Sequence, residues 1–495
     1  MSSANGRQDL SALGVQDLSA LGIQALVDPG KTPTDEQVRV IEAPRRPLLV
    51  VAGAGSGKTE TMSMRVLWLV ANHEDIAPSS VLGLTFTRKA AGELGDRLRQ
   101  RLALLARRVP PLRERLDEDP VSLTYNSFAE RIVAEHGMRI GIDPDFTMLT
   151  EAGAVDLMTQ IVEGWPTDLD EDLSPSAAVG HCLHLAGEVG EHGYTVEEAR
   201  DALEGFGRDL EQIGATNDTA RKTLRANARR LAYLGPVEEF QRRKREGGLL
   251  DFSDQLVLAT RIVREAPAVR AQVRDEFQAV LLDEFQDTSV IQMELLSLLF
   301  HDHAVTAVGD PNQAIYGWRG ASASSLERFL DRFQDGPAQP GQTLTLSTAW
   351  RNDRNILRAA NRVAAPLREH SRAAKSPVLR ARPGAGEGRV DVAYTQDYRS
   401  ALGAVVDFVS AHRARGTREG KRPTTAVLCR RRSDFPYVDM ALREAGVPTQ
   451  IVGLGGLLDQ PSVQDARAAL VLADDVEASP WLARLLAGID LGAAD

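Results

Sequence analysis

The stretch that most constrains this chain is the octapeptide Ala-Gly-Ala-Gly-Ser-Gly-Lys-Thr at positions 52–59. It follows an apolar run at 48–51 and precedes a helix-forming segment at 61–70. A strand, a glycine-rich loop and a helix in this order predict a P-loop, whose backbone N–H groups and helix N-terminus face phosphates. Lys58 is expected to reach the β- and γ-phosphates, and Thr59 to hold Mg²⁺. The residues assigned to nucleotide binding here are Ala52, Gly53, Ala54, Gly55, Ser56, Gly57, Lys58 and Thr59.

Composition excludes several other classes of protein. The 495 residues are 43% hydrophobic and 26% charged, which is typical of a soluble globular protein with several domains. Two cysteines, Cys182 and Cys429, are too few for a disulfide framework, a four-cysteine iron–sulfur site or a zinc ribbon. No apolar run approaches the length of a membrane span, and no secretory signal is recognisable, so we expect a cytoplasmic protein without a membrane partner.

The net charge of −11 does not exclude nucleic acid, because the charge is unevenly distributed. Residues 143–212 contain 17 acidic and 2 basic residues, a net charge of −15, so the remainder carries about +4. Basic tracts occur at 97–115, 221–245 and 411–432. A basic surface outside the acidic block is therefore available for phosphate contacts.

Four further apolar runs each lead directly into a polar motif. Because the carboxyl ends of parallel strands meet at one edge of a sheet, all five motifs are expected to converge on one crevice. The run at 81–84 leads into the motif at 85–91, and the run at 121–123 leads into 124–128. The run at 280–282 leads into 283–287, and the run at 304–308 leads into 309–313 and 316–320.

The motif at 283–287 supplies the carboxylates that phosphoryl transfer needs. Asp283 is expected to hold Mg²⁺ through its water shell, and Glu284 to orient and polarise the attacking water. Gln313 is a candidate sensor of the γ-phosphate. Arg351 is a candidate for the same phosphate, contributed from a second domain that begins near residue 343.

Two residues are candidates for the adenine base. Gln37 precedes the P-loop strand by about ten residues and carries both the donor and the acceptor that an adenine edge requires. Trp350 offers an apolar ring face on which adenine can stack.

The motif loops also contain side chains suited to single-stranded nucleic acid. Aromatic rings stack on bases without reading their sequence, and small polar side chains hydrogen-bond phosphates. The stacking candidates are Phe86, Tyr125, Tyr316 and Trp318, and Arg319 belongs to the same set of DNA-binding candidates. The phosphate candidates are Thr85, Thr87, Asn126 and Ser127.

Together these motifs resemble those of superfamily 1A DNA helicases of the UvrD/Rep/PcrA type, from about Pro33 to the end of the chain. Residues 52–59 are similar to family motif I, 85–91 to motif Ia, 124–128 to motif Ib, 282–288 to motif II, 309–321 to motif III and 350–351 to motif IV. The residues at motifs Ib and IV further resemble those of actinobacterial helicase–nuclease subunits of the AdnAB kind: Thr-Tyr-Asn-Ser-Phe at 124–128 and Ala-Trp-Arg-Asn at 349–352.

The resemblance implies a DNA-dependent ATPase and helicase, with ATP and Mg²⁺ as cofactors. It would move 3′ to 5′ on single-stranded DNA, act at junctions with duplex, and serve DNA repair or recombination, with a second helicase or nuclease subunit as a possible partner. By the same resemblance Lys58, Thr59, Asp283, Glu284, Gln313 and Arg351 handle ATP and Mg²⁺, Gln37 and Trp350 hold adenine, and Phe86, Tyr316 and Trp318 stack bases.

The implied fold class is α/β, a P-loop NTPase with RecA-like parallel sheets, a helical insertion and an incomplete second RecA-like domain. RecA-like domain 1A would comprise 31–130 and 231–342, with helical domain 1B inserted at 131–230. Residues 343–475 would form the first part of domain 2A, with strands at 390–394, 424–429 and 449–452, and 476–495 the truncated start of domain 2B. Residues 1–30, which contain a repeated heptapeptide, are interpreted as a mobile leader or as a weak docking helix.

The chain departs from the family pattern in several places. Arg88, Asn126 and Glu60 stand where the family often has Asn, His and Arg. No motif V or motif VI is found, so we expect the chain as given to be incomplete and weakly active alone. Two alternatives therefore stay open: a helicase subunit of a helicase–nuclease complex, and an ATP-binding DNA clamp without motor activity.

Overall fold

The computed structural model describes residues 18–143, 145–167, 169, 173–214, 217–317, 321, 324–334, 341–370, 375–414, 424–452, 461–474, 481 and 485. The chain divides into two compact units, residues 1–389 and 390–495.

A parallel sheet of six strands organises the first unit. The strands of this unit are β1 (Leu48–Ala52), β2 (Val81–Thr85), β3 (Val121–Thr124), β4 (Thr147–Met148), β5 (Leu249–Leu250), β6 (Ala279–Leu282), β7 (Val305–Gly309), β8 (Gln342–Leu346), β9 (Thr348–Ala349) and β10 (Arg380–Ala381). The order in the main sheet is β3-β2-β6-β7-β1-β8, and every neighbouring pair is parallel. The pairs β4–β5 and β9–β10 are separate two-residue ladders.

Helices cover both faces of this sheet. Those of the first unit are α1 (Ala20–Val27), α2 (Asp35–Ile41), α3 (Lys58–Asn72), α4 (Arg88–Arg108), α5 (Tyr125–His136), α6 (Glu151–Glu163), α7 (Pro175–Glu191), α8 (Val196–Gln212), α9 (Asp218–Glu246), α10 (Phe252–Glu265), α11 (Pro267–Glu276), α12 (Val290–Phe300), α13 (Ser325–Phe333) and α14 (Arg354–His370).

Strand β1 shows how the sheet is buried on both faces. Its side chains alternate: Leu49 and Val51 pack against α5 and α10–α13, whereas Leu48, Val50 and Ala52 pack against α1–α4. A parallel strand enclosed in this way needs an apolar residue at every position, which is why the run before the P-loop is continuous rather than alternating. The two cores hold the carboxyl ends of the strands at one edge.

Helices α6–α9 form a hydrophobic cluster of their own, around residues such as Met158, Cys182 and Phe240. The limits predicted for a helical insertion, 131 and 230, do not coincide with element ends. Helix α5 runs across the first limit and packs in the main core, and α9 continues across the second to Glu246. Periodicity shows where a helix runs, but tertiary contacts decide to which core it belongs.

Of the two interpretations of residues 1–30, the mobile leader is wrong for the described part of that segment, which instead contains a docking helix. Helix α1 is capped by Ser19 and buries Ala20 and Ile23 completely against α3 and α4. The backbone N–H of Ala20 also donates to the Glu42 carboxylate over 2.7 Å. An eight-residue helix that contains a glycine, Gly22, is weak alone, and burial of its apolar side chains stabilises it here. Residues 1–17 lie outside the described part.

The domain limit predicted at residue 342 is also wrong. Strand β8 pairs in parallel with β1, with Leu48 opposite Gln342 and Ala52 opposite Leu346, so it is an edge strand of the first sheet. Helix α14 and the short β9–β10 ladder also belong to the first unit, which extends to Arg389. An apolar run identifies a strand, but nothing in the run specifies the strand beside which it will pair.

The described part of the second unit is helical. It contains α15 (Tyr398–Ala414), α16 (Phe435–Glu444) and α17 (Pro461–Asp474), with a small apolar cluster around Val409, Leu442 and Val447. The strands predicted at 390–394, 424–429 and 449–452 do not form among its described residues, where these segments have no ladder partner. Apart from two residues, the predicted start of domain 2B at 476–495 lies outside the described chain.

Candidate active site

The P-loop joins β1 to α3 at the carboxyl edge of the sheet. Gly55 and Gly57 have φ values of 73° and 83°, the left-handed region that glycine adopts without strain. Gly57 is the N-cap of α3 and, having no side chain, leaves the first N–H groups of the helix facing the loop. A Cβ on Gly55 would lie 2.8 Å from the Cβ of Arg351, so the loop is also in close contact with the segment after β9.

The polar side chains Lys58 and Ser56 of this loop differ in their contacts. The Lys58 ammonium donates to Glu284 Oε2 over 2.8 Å, and its side chain is 12% exposed. The Ser56 hydroxyl is buried and has no hydrogen-bond partner among the described residues. A buried hydroxyl without a partner costs free energy, so a ligand that hydrogen-bonds Ser56 would recover it.

Strand β6 ends at two carboxylates, Asp283 and Glu284. Glu284 has φ 49°, a strained conformation for a residue other than glycine, and its backbone N–H donates to Asp283 Oδ1 over 3.0 Å. Burial, followed by the neighbouring charge of Glu284, raises the pKa of Asp283 to about 6. The strand end therefore holds a carboxylate that would gain free energy from a nearby cation.

The residues present fit a P-loop Mg²⁺ site. Within the described residues no group of three or more His, Cys, Asp or Glu side chains could hold a metal ion by itself. Mg²⁺ prefers one or two protein oxygens completed by water and substrate phosphates. The hydroxyl of Thr59, in the first turn of α3, and the carboxylate of Asp283, directly after β6, would be the protein ligands.

Gln313 lies on a short turn after β7. Its amide donates to Asp310 Oδ2 over 2.7 Å, so the side chain is fixed near the end of the strand. Arg351 is exposed, and the preceding residue donates a backbone hydrogen bond from Trp350 N to Gly55 O over 2.8 Å. The expectation that Arg351 comes from a separate second domain is wrong, because it belongs to the same compact unit as the P-loop.

A cavity of about 850 Å³ adjoins the P-loop, and Gln37, Gly57, Thr61 and Trp350 are among its lining residues. The Gln37 amide accepts from the backbone N–H of Thr34 (3.0 Å) and donates to the Thr61 hydroxyl (3.2 Å). One amide N–H and one carbonyl lone pair remain for a ligand. Trp350 is 39% exposed, which leaves ring surface available for stacking. The two adenine candidates thus line one cavity.

Sequence reasoning missed two residues that shape this cavity. The Glu36 carboxylate accepts from both the backbone N–H and the hydroxyl of Ser347 over 2.6 and 2.7 Å, which ties α2 to the segment leading to Trp350. Arg101 Nη2 lies 2.6 Å from both carboxylate oxygens of Glu60, a lining residue. Neither Glu36 nor Arg101 lies in a recognisable motif, so no sequence signal identified them.

Two of the predicted DNA-stacking rings lie together at the same edge. Phe86 follows β2 and Tyr316 follows β7; both are half-buried. Their rings are parallel to within 2°, with centroids 6.4 Å apart. Thr87 is exposed and caps α4. Trp318 and Arg319 lie outside the described residues, so their assignment stays a prediction.

Two predicted DNA contacts are contradicted by burial. Tyr125 is only 3% exposed, its hydroxyl donates to the backbone carbonyl of Asp283 over 3.2 Å, and burial raises its pKa. It supports Phe86 from beneath, with ring centroids 4.8 Å apart, and cannot receive a base. The Thr85 side chain is buried as well, and its hydroxyl donates to the Thr87 carbonyl over 3.2 Å.

Asn126 and Ser127 remain candidates for phosphate contacts. Both are half-buried in the first turn of α5. The Thr124 hydroxyl accepts from the Ser127 backbone N–H over 3.0 Å and donates to its Oγ over 2.8 Å, so Ser127 also serves the helix cap. Their predicted role is compatible with these positions.

The parallel sheet, the glycine loop at a helix N-terminus and the paired carboxylates on the second strand from β1 define a P-loop NTPase of the RecA-like α/β class. Residues 33–334 match the family described as UvrD/REP helicase N-terminal domain. The chain belongs to this family, as the motifs predicted. The finer resemblance to helicase–nuclease subunits stays a prediction.

Three curated relatives are named as DNA helicases. DNA helicase II of Escherichia coli (strain K12) is 28% identical over 441 residues, which cover 88% of this chain and 54% of that protein. DNA helicase II of Salmonella typhimurium is 30% identical over 330 residues, 66% of this chain and 39% of the relative. ATP-dependent DNA helicase PcrA of Staphylococcus epidermidis (strain RP62A) is 26% identical over 436 residues, which cover 88% of this chain and 53% of that protein. The chain spans about half the length of most of these relatives.

No helix among its described residues is long and apolar enough to cross a bilayer.

Proposed function

We propose that this protein hydrolyses ATP with Mg²⁺ and uses the free energy to move along single-stranded DNA as a UvrD-type helicase. One observation carries the proposal. The ends of β1, β2, β6 and β7 bring a phosphate loop, two carboxylates and a pair of half-buried parallel aromatic rings to one edge of one sheet. An ATP site and a base-stacking site on adjacent strand ends are what a nucleic-acid motor requires.

The ATP-site residues have distinct proposed roles. Lys58 would leave Glu284 and contact the phosphates, and Ser56 would donate to one of their oxygens. Glu284, released from Lys58, would accept a proton from the attacking water. Gln313 and Arg351 would contact the γ-phosphate. Bound Mg²⁺, held by Thr59 and Asp283, would neutralise charge on the phosphates.

The DNA-site residues would hold the strand without reading its sequence. Phe86 and Tyr316 offer ring faces to bases, and each stacked base contributes about 1–3 kcal/mol. Thr87, Asn126 and Ser127 would contact phosphates. We therefore expect Phe86→Ala to weaken binding of oligothymidylate roughly tenfold or more, whereas Tyr125→Phe, a change within the core, should leave the affinity within about twofold of wild type.

From the family we further infer 3′ to 5′ movement, action at single-strand/duplex junctions, and a role in cytoplasmic DNA repair or recombination. Direction is tested with oligonucleotides that carry a fluorophore at either end. Arrival of the motor should change fluorescence with a delay that grows with length at the 5′ end. A length-dependent delay at the 3′ end would contradict the proposed direction.

The activity is tested by phosphate release from the purified chain, with and without oligothymidylate, at high protein concentration. We expect DNA to accelerate release, and Lys58→Ala to abolish it. Arg261→Ala, which removes a half-exposed cation 2.8 Å from Glu265 on α10 and away from the predicted motifs, is the control and should behave as wild type. Equal rates of release with and without DNA would overturn the proposed motor and favour an ATP-binding clamp.

A further inference from the structure

We infer that Gln286 is a positioning residue that transmits DNA binding at the Phe86–Tyr316 rings to the Glu284 carboxylate. The inference rests on the proposed function, because it concerns how DNA would accelerate ATP hydrolysis. Gln286 lies between the water-activating candidate and the loop that carries Tyr316.

The Gln286 side chain is 2% exposed, and both ends of its amide are used. Its Nε2 donates to Glu284 Oε2 over 3.0 Å and to Asp287 Oδ2 over 3.2 Å. Its Oε1 accepts from the backbone N–H of Asp310 over 3.0 Å. One buried amide therefore fixes two carboxylates of the segment after β6 against the first residue after β7.

The two strand ends are packed too closely to move independently. A Cβ on Gly309 would lie 2.7 Å from Gln286 Oε1 and 3.2 Å from Gln286 N. Glycine is required at this position because the backbone of β7 approaches the amide directly. A displacement of residues 309–310 must therefore displace Gln286, since no free volume separates them.

The other end of this network reaches the ring that we assign to DNA. Asp310 Oδ2 accepts from the Gln313 amide over 2.7 Å, and Asp287 Oδ1 accepts from the backbone N–H of Ile315 over 3.4 Å. Tyr316, the next residue, is parallel to Phe86. A base that shifts Tyr316 would thus pull on Asp287 and Asp310, and both of these contact Gln286.

At the ATP side, Glu284 Oε2 is shared by Gln286 and Lys58, at 3.0 and 2.8 Å. When bound phosphates draw Lys58 away, the hydrogen bond from Gln286 is the contact that remains to orient this carboxylate oxygen. Gln286 would therefore influence the turnover of bound ATP more than the binding of ATP, because it touches Glu284 and not the P-loop lysine.

The test compares Gln286→Met with Gln292→Met in steady-state ATP hydrolysis, with and without saturating oligothymidylate. Methionine retains volume but removes the amide. For Gln286→Met we expect the DNA-stimulated kcat to fall about tenfold to a hundredfold, the effect of a small misplacement of a reacting group. The KM for ATP should stay within about threefold, and the stimulation factor should fall with kcat.

Gln292 is the matched control because it is also a buried glutamine, 7% exposed, on the adjoining helix α12. Its Oε1 accepts from the Ser289 backbone N–H over 3.1 Å and closes a helix cap. Gln292→Met should lower the melting temperature while the stimulation factor stays at the wild-type value. A merely structural role of Gln286 would give the same pattern as this control.

If Gln286→Met fails to fold, Gln286→Asn replaces it, since it keeps an uncharged amide but, being one methylene shorter, withdraws that amide from Glu284 and Asp287. Loss of stimulation in either folded variant supports the inference. A folded variant stimulated by DNA as strongly as wild type overturns it. Absence of stimulation in the wild-type protein would instead overturn the proposed function, and the inference with it.

Discussion

At the residue scale, Asp283 has a free-energy cost that a cation would remove. Burial and the charge of Glu284 raise its pKa to about 6, so the folded protein binds this proton more tightly than the unfolded chain does. The contribution of the protonated carboxyl to stability is complete below about pH 4 and is lost as pH rises through 6. At pH 8, without Mg²⁺, the ionised carboxylate therefore destabilises the fold.

This predicts that Asp283→Asn is more stable than the wild type at pH 8, by about 1–3 kcal/mol in the free energy of unfolding. At pH 5 the difference should shrink, because much of the wild-type carboxyl is then protonated. Urea unfolding at both pH values, in the presence of a chelator, measures the difference. A variant that is less stable than wild type at pH 8 would show that the surroundings do not destabilise the ionised Asp283 carboxylate.

The motif residues could be predicted from sequence, but their exposure could not. Phe86 and Tyr125 both follow apolar strands and both are aromatic residues in polar loops. Phe86 is half-buried beside Tyr316, whereas Tyr125 is covered by Phe86 and hydrogen-bonds the chain at Asp283. Whether a ring is exposed or covered depends on side chains from neighbouring strand ends, and these strand ends are distant in the sequence.

At the scale of elements, Arg65 joins the P-loop helix α3 to the sheet and to the end of α2. It is fully buried, and burial lowers its pKa to about 10. Its guanidinium donates to the carbonyls of Val40 (2.9 Å) and Ala43 (2.8 Å), among others, and to the Thr306 hydroxyl (2.9 Å). These contacts satisfy carbonyls at a helix C-terminus that is closed off from water.

We therefore predict that Arg65→Met lowers the free energy of unfolding by roughly 3–5 kcal/mol, because several buried acceptors lose their donor. Arg261→Met is the control: Arg261 is half exposed on α10 and, among the described residues, pairs with Glu265 of its own helix alone, so the cost should be below about 1 kcal/mol. Thermal or urea unfolding of both variants measures the effect. If the two variants lose the same free energy of unfolding, the buried contacts of Arg65 contribute no more to stability than the exposed Arg261–Glu265 ion pair does.

Element type was more predictable than element pairing. The continuous apolar runs at β1, β2, β6 and β7 predicted buried parallel strands, and the carboxyl-end rule placed their motifs together. The position of β8 beside β1, and the docking of α1 on α3 and α4, depend on long-range packing. A short helix or an edge strand contains too few residues to encode its partner.

At the scale of the whole molecule, the charge is segregated by element. Most of the acidic block at 143–212 falls on α6–α8, which form their own hydrophobic cluster, whereas the DNA candidates lie at the edge of the main sheet. The net charge of −11 should therefore not prevent binding to a polyanion.

We predict that the affinity for oligothymidylate falls as salt rises, with log K against log salt declining by about 0.7 per phosphate contact. Fluorescence anisotropy between low and moderate salt measures the slope. Photocrosslinks from the DNA should avoid residues 143–212. A salt-independent affinity, or crosslinks concentrated in that block, would contradict this charge distribution.

We propose that one sheet edge holds an ATP site and a DNA site that act on each other. The direct measurement is thermodynamic linkage: the affinity for oligothymidylate with and without a saturating non-hydrolysable ATP analogue and Mg²⁺, and the converse titration. We predict that each ligand changes the affinity for the other by the same factor, about 5-fold to 150-fold, and that Lys58→Ala removes the effect. Two ligands that both bind, but with affinities that are independent of each other, would contradict the account.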